Sequence, residues 1–315
     1  MGNLVDKNVI AVIVTYGDRI DYVKKVVDRL KKIKEITQTI LVDNNSNQKM
    51  VSTDFLKVFT LEKNSGSANG YYLGLKNAVK NNPDFVWMLD DDNLPSDNAL
   101  ARLLNDYEKM EEKAAFCSYR LDRKELKEAG GQRYIPNSFF GFSLKSKIKR
   151  RMANKLKENN LLPCDTVPYG GLLLPIEYIK LIGYPNRDYV LYSDDNDYTY
   201  RLKKRGIQLF CDTKSVISDL ESSWYRREKV PMFQGVFRTK MMRNALYTIR
   251  NRTYFELNNI VTSKFEYWLN VVVYLMYVFV FYMPKNKLGF LRFGSILKCI
   301  KMARIGQLGE LDENC

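Results

Sequence analysis

Two acidic clusters have the residue types and spacing to do chemistry. Asp90-Asp91-Asp92 follows the apolar run Phe85-Val86-Trp87-Met88-Leu89, and Asp194-Asp195-Asn196-Asp197 precedes Tyr198-Thr199-Tyr200-Arg201. Neighbouring carboxylates repel, so crowding three together costs free energy unless positive charge lies between them. A strand that empties into three acids is either a site where oxygen ligands hold Mg2+ or Mn2+ and share it with a phosphate, or a solvated turn capping a helix expected from about Ser96. The second cluster also has two readings. Negative charge is favoured at a helix start, where one Asp would suffice; a carboxylate there, among aromatic neighbours, also suits a general base.

Composition narrows the chemistry. The chain has 315 residues and no histidine. That excludes a Ser-His-Asp triad, a Cys-His dyad and imidazole metal ligands. A general base must then be a carboxylate, Lys, Tyr or Cys, and a metal must be held mostly by oxygen. Five cysteines (Cys117, Cys164, Cys211, Cys299, Cys315) are scattered without a C-x-x-C pair, which argues against zinc or a disulfide scaffold and fits a reducing cytoplasm. A net charge of +14 suggests a polyanionic partner: nucleic acid, an anionic membrane surface or a phosphorylated substrate. No RRM, KH or zinc pattern supports nucleic acid. The opening Met1 to Asp6 lacks a basic stretch before a long apolar core, so no signal peptide is expected, and Asp6 stands where a myristoylation signal wants Ser or Thr.

The elements that must position these acids come in order. Asn8 to Thr15 is β-branched and continuously apolar, as in a strand buried on both faces of a parallel sheet, and Tyr16-Gly17-Asp18 is a turn at its end. Ile20 to Ile33 carries apolar residues at helical spacing. Thr39 to Val42 reads as a strand ending in the polar loop Asp43 to Asn47, and Val58 to Leu61 as a third strand. A loop, Asn64 to Gly70, then precedes a helix from Tyr71 to Lys80. Its glycines miss both the Walker and the dinucleotide patterns; they fit either a nucleotide approaching a helix N-terminus or a flexible turn with close helix packing. The first hundred residues thus predict an α/β fold with a largely parallel sheet, in which ligands bind at the carboxyl ends of the strands. Those ends carry Thr15-Tyr16, Asp43, the Gly66 loop and Asp90 to Asp92.

Further along, a helix is expected over Ser96 to Lys113, a strand over Ala114 to Tyr119, and irregular chain from Arg120 to Pro136. Lys145 to Lys157 is a basic run, read as a solvated helix face or an insertion near the site. Gly170-Gly171 opens an apolar strand, so another chain or a ligand has room to approach. A helix runs from about Asp194 to Lys204 with Gly206 as its stop, followed by two short strands, Ile207 to Cys211 and Val216 to Asp219.

With both acid clusters placed, the chain resembles the family 2 glycosyltransferases. The resemblance rests on ordered pieces: the first strand with Thr15-Tyr16, Leu41-Val42-Asp43-Asn44-Asn45-Ser46, Asn64-x-Gly66 to Gly74, Asp90-Asp91-Asp92 as a D-x-D motif, Tyr169-Gly170-Gly171, and Asp194-Asp195-x-Asp197-x-x-x-Arg201. It implies a GT-A fold: an α/β, Rossmann-like, mostly parallel sheet flanked by helices. It implies that Asp43 contacts the nucleotide base, with Thr15, Tyr16, Asn64, Gly66 and Asp91 on the donor side. Asp90 and Asp92 would meet Mg2+ or Mn2+ on the donor diphosphate. Asp195, paired with Asp194, would deprotonate an acceptor hydroxyl for an inverting transfer. Relatives place a His as a further ligand after the base helix; here the matching position is near Asp219, where a carboxylate would replace imidazole. The two acid clusters look most like the galactofuranosyltransferase branch, with rhamnosyltransferases close by. A sugar nucleotidyltransferase is a competing class, but Tyr16-Gly17-Asp18 offers no basic residue for a triphosphate.

Residues 1–223 are therefore read as the catalytic domain for nucleotide-sugar donor and glycan acceptor, and 224–315 as a basic, aromatic helical region. After Trp224 come Arg226, Arg227, Lys229, Arg238, Lys240, Arg243, Arg250 and Arg252, a basic belt. Phe265 to Met283 is the most apolar stretch, marginal for a bilayer span of about 20 residues. It fits a buried helix, an interfacial one, or a strand. Aromatics beside Lys and Arg suit a peripheral anchor on the inner face of the cell membrane, or a homodimer contact. A lipid-linked acceptor in surface polysaccharide assembly is the expectation that accompanies the family resemblance and this tail.

Overall fold

The computed structural model describes residues 7–110, 113–145, 160–221, 237 and 239–312. The basic run beyond Lys145, and Arg226, Arg227, Lys229 and Arg238, lie outside the described residues. The chain forms two compact units. One comprises Met1–Arg133, Leu156–Arg187 and Asp194–Glu221; the other comprises Tyr134–Lys155, Asp188–Ser193 and Ser222–Cys315.

The first unit is built on a nine-stranded sheet in the order β3-β2-β1-β4-β8-β6-β9-β5, with β7 also pairing with β9. The strands are β1 (Val9–Gly17), β2 (Ile36–Ser46), β3 (Leu56–Thr60), β4 (Phe85–Asp90), β5 (Asn93–Pro95), β6 (Ala114–Arg120), β7 (Leu161–Cys164), β8 (Leu172–Pro175) and β9 (Gln208–Asp219). Strands β1 to β4 pair in parallel, and the continuous apolar runs of β1 and β4 are buried on both faces. Beyond β4 the sheet is mixed. β8 is antiparallel to both β4 and β6, and β6 is parallel to β9. Two reversals through β8 restore direction, so β1, β2, β4, β6 and β9 all end on one edge. Helices α1 (Ile20–Leu30) and α3 (Ala99–Lys109) pack with one face of the sheet, while α2 (Gly66–Lys80), α5 (Ile176–Ile182) and α6 (Asp194–Lys204) pack with the other. A short α4 (Lys124–Glu128) interrupts the segment expected to be irregular.

Several boundaries differ from the sequence expectation for physical reasons. The stretch Asp43 to Ser46 continues β2 instead of opening a loop, because it still pairs with the end of β1, Thr15 opposite Asp43 and, past a register shift, Gly17 opposite Ser46. Helix α2 begins at Gly66, not Tyr71. Gly70 and Gly74 lie one turn apart on its inner face, where a Cβ would come within 2.4 Å of Val14 and Val12 respectively. Gly70 and Gly74 serve close packing of helix on sheet. The two short strands after α6 are one strand, β9, whose polar middle from Asp212 to Ser215 is accommodated by a register shift against Ser118 and Tyr119.

The second unit is helical: α7 (Met242–Asn259), α8 (Lys264–Phe281) and α9 (Gly289–Arg304). The apolar stretch expected as helix or strand is helix α8. Ser263 caps it, accepting from the Glu266 amide. Asn137 ties it down: its Oδ1 accepts from the amides of Thr262 and Ser263, and its carbonyl accepts from Asn270 Nδ2 at 2.8 Å. The expected basic belt is in part internal. Arg250 is fully buried over the Tyr247 ring and donates to the Gly309 carbonyl at 2.7 Å. Arg252 pairs with buried Glu256. The turn ahead of α6 holds Val190, Tyr192 and Ser193 at φ 62°, 65° and 61°, a region costing non-glycine residues about 1–3 kcal/mol each. Asn251 Nδ2 holds that turn by donating to the carbonyls of Tyr189, Leu191 and Tyr192.

Candidate active site

The triple Asp sits where the sheet changes hands. β4 ends at Asp90, and within three residues the chain starts β5, which pairs antiparallel with the end of β9 and sets Asn93 opposite Asp219. The Leu220 amide donates to the Asp92 carbonyl at 2.9 Å. Asn93 Nδ2 donates to Asp219 Oδ1 at 3.0 Å. The sheet therefore brings Asp219 beside Asp90, Asp91 and Asp92, although they stand 127 to 129 positions apart in the sequence.

Two arginines thread this cluster. Arg120, the last residue of β6, donates to Asp90 at 3.0 Å and to Asp219 at 2.5 and 3.1 Å. Arg19, just past the β1 turn, donates to Asp91 at 2.8 Å, lies 3.0 Å from Asp92, and also pairs with Glu221. Asp91 points back toward β1 and accepts from the Thr15 hydroxyl at 2.8 Å. Tyr71, on α2, donates to Asp90 at 2.8 Å and to the Leu89 carbonyl. Gly170 lies directly against the cluster: a Cβ there would fall 2.3 Å from Asn93 Oδ1 and 2.7 Å from Asp90 Oδ2. The room expected at Gly170 is taken by the chain's own acid cluster.

Five carboxylates (Asp90, Asp91, Asp92, Asp219, Glu221) share two guanidiniums here. Burial, then the charge of Asp90, pushes Asp92 up to about 7, although Arg19 opposes the shift. Burial also raises Asp91 and Asp219 in spite of their arginine partners. Both arginines are held firmly in the charged state. Among the described residues no three acids form a finished cation cage; the Arg120 guanidinium lies between Asp90 and Asp219 instead. The chemistry nevertheless fits a divalent cation. The acidic donors are all oxygen, and five carboxylates face two guanidiniums, a surplus of negative charge.

The second acid pair opens α6. Asp194 is buried and accepts from the Ser67 hydroxyl, on the first turn of α2, at 3.0 Å. Burial, then the neighbouring charge of Asp195, raises its pKa. Asp195 is half-buried, and its Oδ1 accepts from the Asn196 amide at 2.7 Å. Asp197 is engaged by Arg201 at 2.6 Å. Tyr169, on the segment leading to β8, packs at a tilt against Tyr71 with ring centroids 4.2 Å apart and approaches Tyr198 on α6 at 6.0 Å, so an aromatic row joins the two acidic regions.

The remaining expected residues line the same edge. Asp43 is buried, accepting from the Ser46 amide at 2.6 Å and pairing with Lys49 at 3.0 Å. Tyr16 is half-exposed, with Arg19 5.4 Å from its ring. Asn64 accepts from the Gly66 amide at 3.0 Å. Sequence reasoning missed Arg19, Tyr71, Arg120 and Asn44, which holds the α2 entrance by bonding the Ser65 amide and the Gly66 carbonyl. A signal existed for Arg120: it ends a strand in a sheet whose other strand ends are acidic.

Solved structures share this architecture. GalNAc-T7 with UDP, GalNAc and Mn2+ superposes with a TM-score of 0.57 at 14% identity, over 98% of this chain and 56% of that one. This chain thus spans little more than half the length of that protein. The mannosyltransferase PcManGT from Pyrobaculum calidifontis, in complex with GDP-Man and Mn2+, superposes with a TM-score of 0.53 at 12% identity, over 97% and 76%. At such identities the likeness establishes the fold. No curated protein matches the chain. The profile of glycosyl transferase family 2 matches residues 10–167, from β1 through the acid cluster to the segment ahead of Gly170. The chain belongs to glycosyl transferase family 2.

Proposed function

We propose that this chain transfers a sugar, with inversion, from a nucleotide-sugar donor to a hydroxyl of a glycan acceptor. The observation that carries it is the pairing, on one sheet edge, of an all-oxygen acid cluster with surplus negative charge and a separate acid pair at the start of α6. Asp90, Asp92 and Asp219 would hold Mg2+ or Mn2+. When bound, such a cation neutralises charge developing on a leaving diphosphate. Asp43 and the half-exposed ring of Tyr16 would receive the nucleoside, and the N-terminus of α2, beyond Gly66, would face the phosphates.

Asp195 is the base in this reading. It is partly exposed, whereas Asp194 is buried and accepts from the Ser67 hydroxyl. The acceptor oxygen attacks the anomeric carbon opposite the diphosphate, the carbon–oxygen bond to the diphosphate breaks, and the hydroxyl proton passes to Asp195. Asp194 fixes the start of α6 against α2 and so sets the distance between base and donor. We assign galactofuranose as the donor sugar, on the resemblance of the triple Asp and the Asp194-Asp195 pair, and a lipid-linked glycan of a surface polysaccharide as the acceptor.

The test is a donor panel. Purified protein is incubated with UDP-, GDP- and dTDP-sugars, with and without Mn2+, and read by thermal shift and donor hydrolysis. A cation-dependent shift with UDP-galactofuranose is expected. A shift confined to dTDP-rhamnose would move the sugar to rhamnose. Release of diphosphate from a nucleoside triphosphate and a sugar 1-phosphate, with no response to any nucleotide-sugar, would replace transfer by nucleotidyl transfer.

A further inference from the structure

Helix α8 is apolar all round, yet only one side of it is covered. Tyr267, Asn270, Val271, Tyr274 and Val278 face the core of the second unit. On the opposite side Phe265, Leu269, Val272, Met276 and Val280 recur at helical spacing and are 43–81% exposed. Such a row on a water-facing helix is the pattern of a surface that meets something apolar. Helix α9 continues it, with Phe290 78% and Leu291 68% exposed. The two helices adjoin where the Phe279 ring meets Phe293 edge-on at 5.4 Å.

Charge says what covers this face. From Tyr267 to Gly309 the sequence has no acidic residue, while Lys285, Lys287, Arg292, Lys298, Lys301 and Arg304 fall within it. A protein partner, or a second copy of the chain, would more often meet a rim of both signs. An apolar row bordered by cations of one sign matches a bilayer, whose acyl region takes the apolar side chains and whose anionic headgroups take the lysines and arginines.

The packing also decides how α8 meets that bilayer. The segment Lys264–Lys285 is apolar and long enough to cross one. Spanning would strip the inner face of its core contacts and expose Asn270 to hydrocarbon. Asn270 now donates to the Asn137 carbonyl and accepts from the Leu144 amide, and an unpaired polar group in lipid is costly.

We propose that the outer faces of α8 and α9 form an in-plane docking surface for a bilayer carrying anionic lipid, with α8 lying on the membrane and not across it. The exposed row would sink into the headgroup–acyl boundary, and the lysines and arginines of the 285–304 segment would meet the lipid phosphates. This surface lies wholly within the second unit and does not depend on the reaction assigned to the first.

Vesicle co-sedimentation of the full chain tests the proposal. Binding to phosphatidylglycerol/phosphatidylcholine vesicles should exceed binding to phosphatidylcholine alone by at least about tenfold and fall with salt. The double variant Phe290→Ser/Leu291→Ser, whose side chains are already exposed, should keep its melting temperature and bind at least about tenfold more weakly. Lys285→Gln/Lys287→Gln/Lys301→Gln should lose the preference for the anionic vesicles. High-salt or carbonate washing should release the bound protein. Equal or absent binding to the two vesicle types overturns the proposal. So does protein that resists carbonate extraction, which would mean a span. So does a dimer seen by light scattering that Phe290→Ser/Leu291→Ser dissociates while vesicle binding is unchanged.

Discussion

The two acidic regions of the first unit are built from the same residue type and solve opposite problems. Around Asp90 to Asp92, each acid meets a fixed positive charge or a neutral donor: Arg120 and Tyr71 at Asp90, Arg19 and Thr15 at Asp91, Arg19 at Asp92. At Asp194 and Asp195 the partners are a hydroxyl, a backbone amide and the N-terminus of α6. The first region is arranged to hold charge in place. The second keeps Asp195 partly exposed at the start of a helix, its Oδ1 accepting from the Asn196 amide, which suits a group that must take up a proton and release it. Identical side chains acquire different roles because burial and counter-charge differ, not because the acids do.

That contrast can be broken at its most sensitive point first. Asp195→Asn should lower kcat about a thousandfold, within the range of a general base, while the donor still protects the protein from melting. Turnover near that of the parent would remove Asp195 as the base. Asp92→Ala should cost on the order of a hundredfold in kcat/KM and, unlike Asp195→Asn, abolish the cation-dependent part of nucleotide binding measured by calorimetry. If both variants lose donor binding alike, the division of labour between the regions is wrong.

A stability measurement sharpens the contrast further. Arg120→Gln strips Asp90 and Asp219 of their shared partner, and removing one side of a buried pair costs about 3 kcal/mol. Urea unfolding should show that loss, and millimolar Mn2+ should restore part of it, because a cation can replace the guanidinium between the two acids. A variant as stable as the parent would mean that the bridge contributes nothing.

The smallest effect is a pH slope. Asp92 titrates near 7 in the folded protein against an ordinary value of 3.8. Between those values the folded state keeps a proton that the unfolded state has released. The contribution of this group is therefore complete below 3.8 and shrinks as pH rises toward 7. The metal-free protein should melt higher at about pH 5.5 than at about pH 7.5, and Asp92→Asn should flatten that difference. Asp195→Asn should leave it in place. A steeper slope in the Asp92→Asn variant would refute the assignment.

Much of this site was legible in the chain because acids at strand ends are local signals. Asp43, Asp90 to Asp92 and Asp194-Asp195 each follow an apolar run or open a helix, and the α/β alternation told which edge they share. Asp219 was legible only through the family resemblance. Its place opposite Asn93 comes from β5, three residues too short to stand out. The arginines had no local signature. Arg19 meets Asp91 across 72 residues and Arg120 meets Asp219 across 99, so their pairing is a property of strand order. The start of α2 was misjudged because glycine argues against helix by propensity, whereas tight packing on Val12 and Val14 requires it. The basic belt misled in the other direction: Arg250 is charged by type but fully buried in the second unit.

The pairing of Asn93 with Asp219 has a consequence for how the chain is made. That hydrogen bond joins residues 126 apart, and contacts of such separation form late and slowly because a long loop must close before they add any stability. During synthesis the first four parallel strands can assemble while β9 is still absent. Arg19, Tyr71 and Arg120 are already made by then and can pair with the triple Asp, but β5 has no partner strand until β9 is made. A nascent chain stalled before that residue should leave β5 unpaired and the Arg120 guanidinium without its second acid, and completion of β9 supplies both.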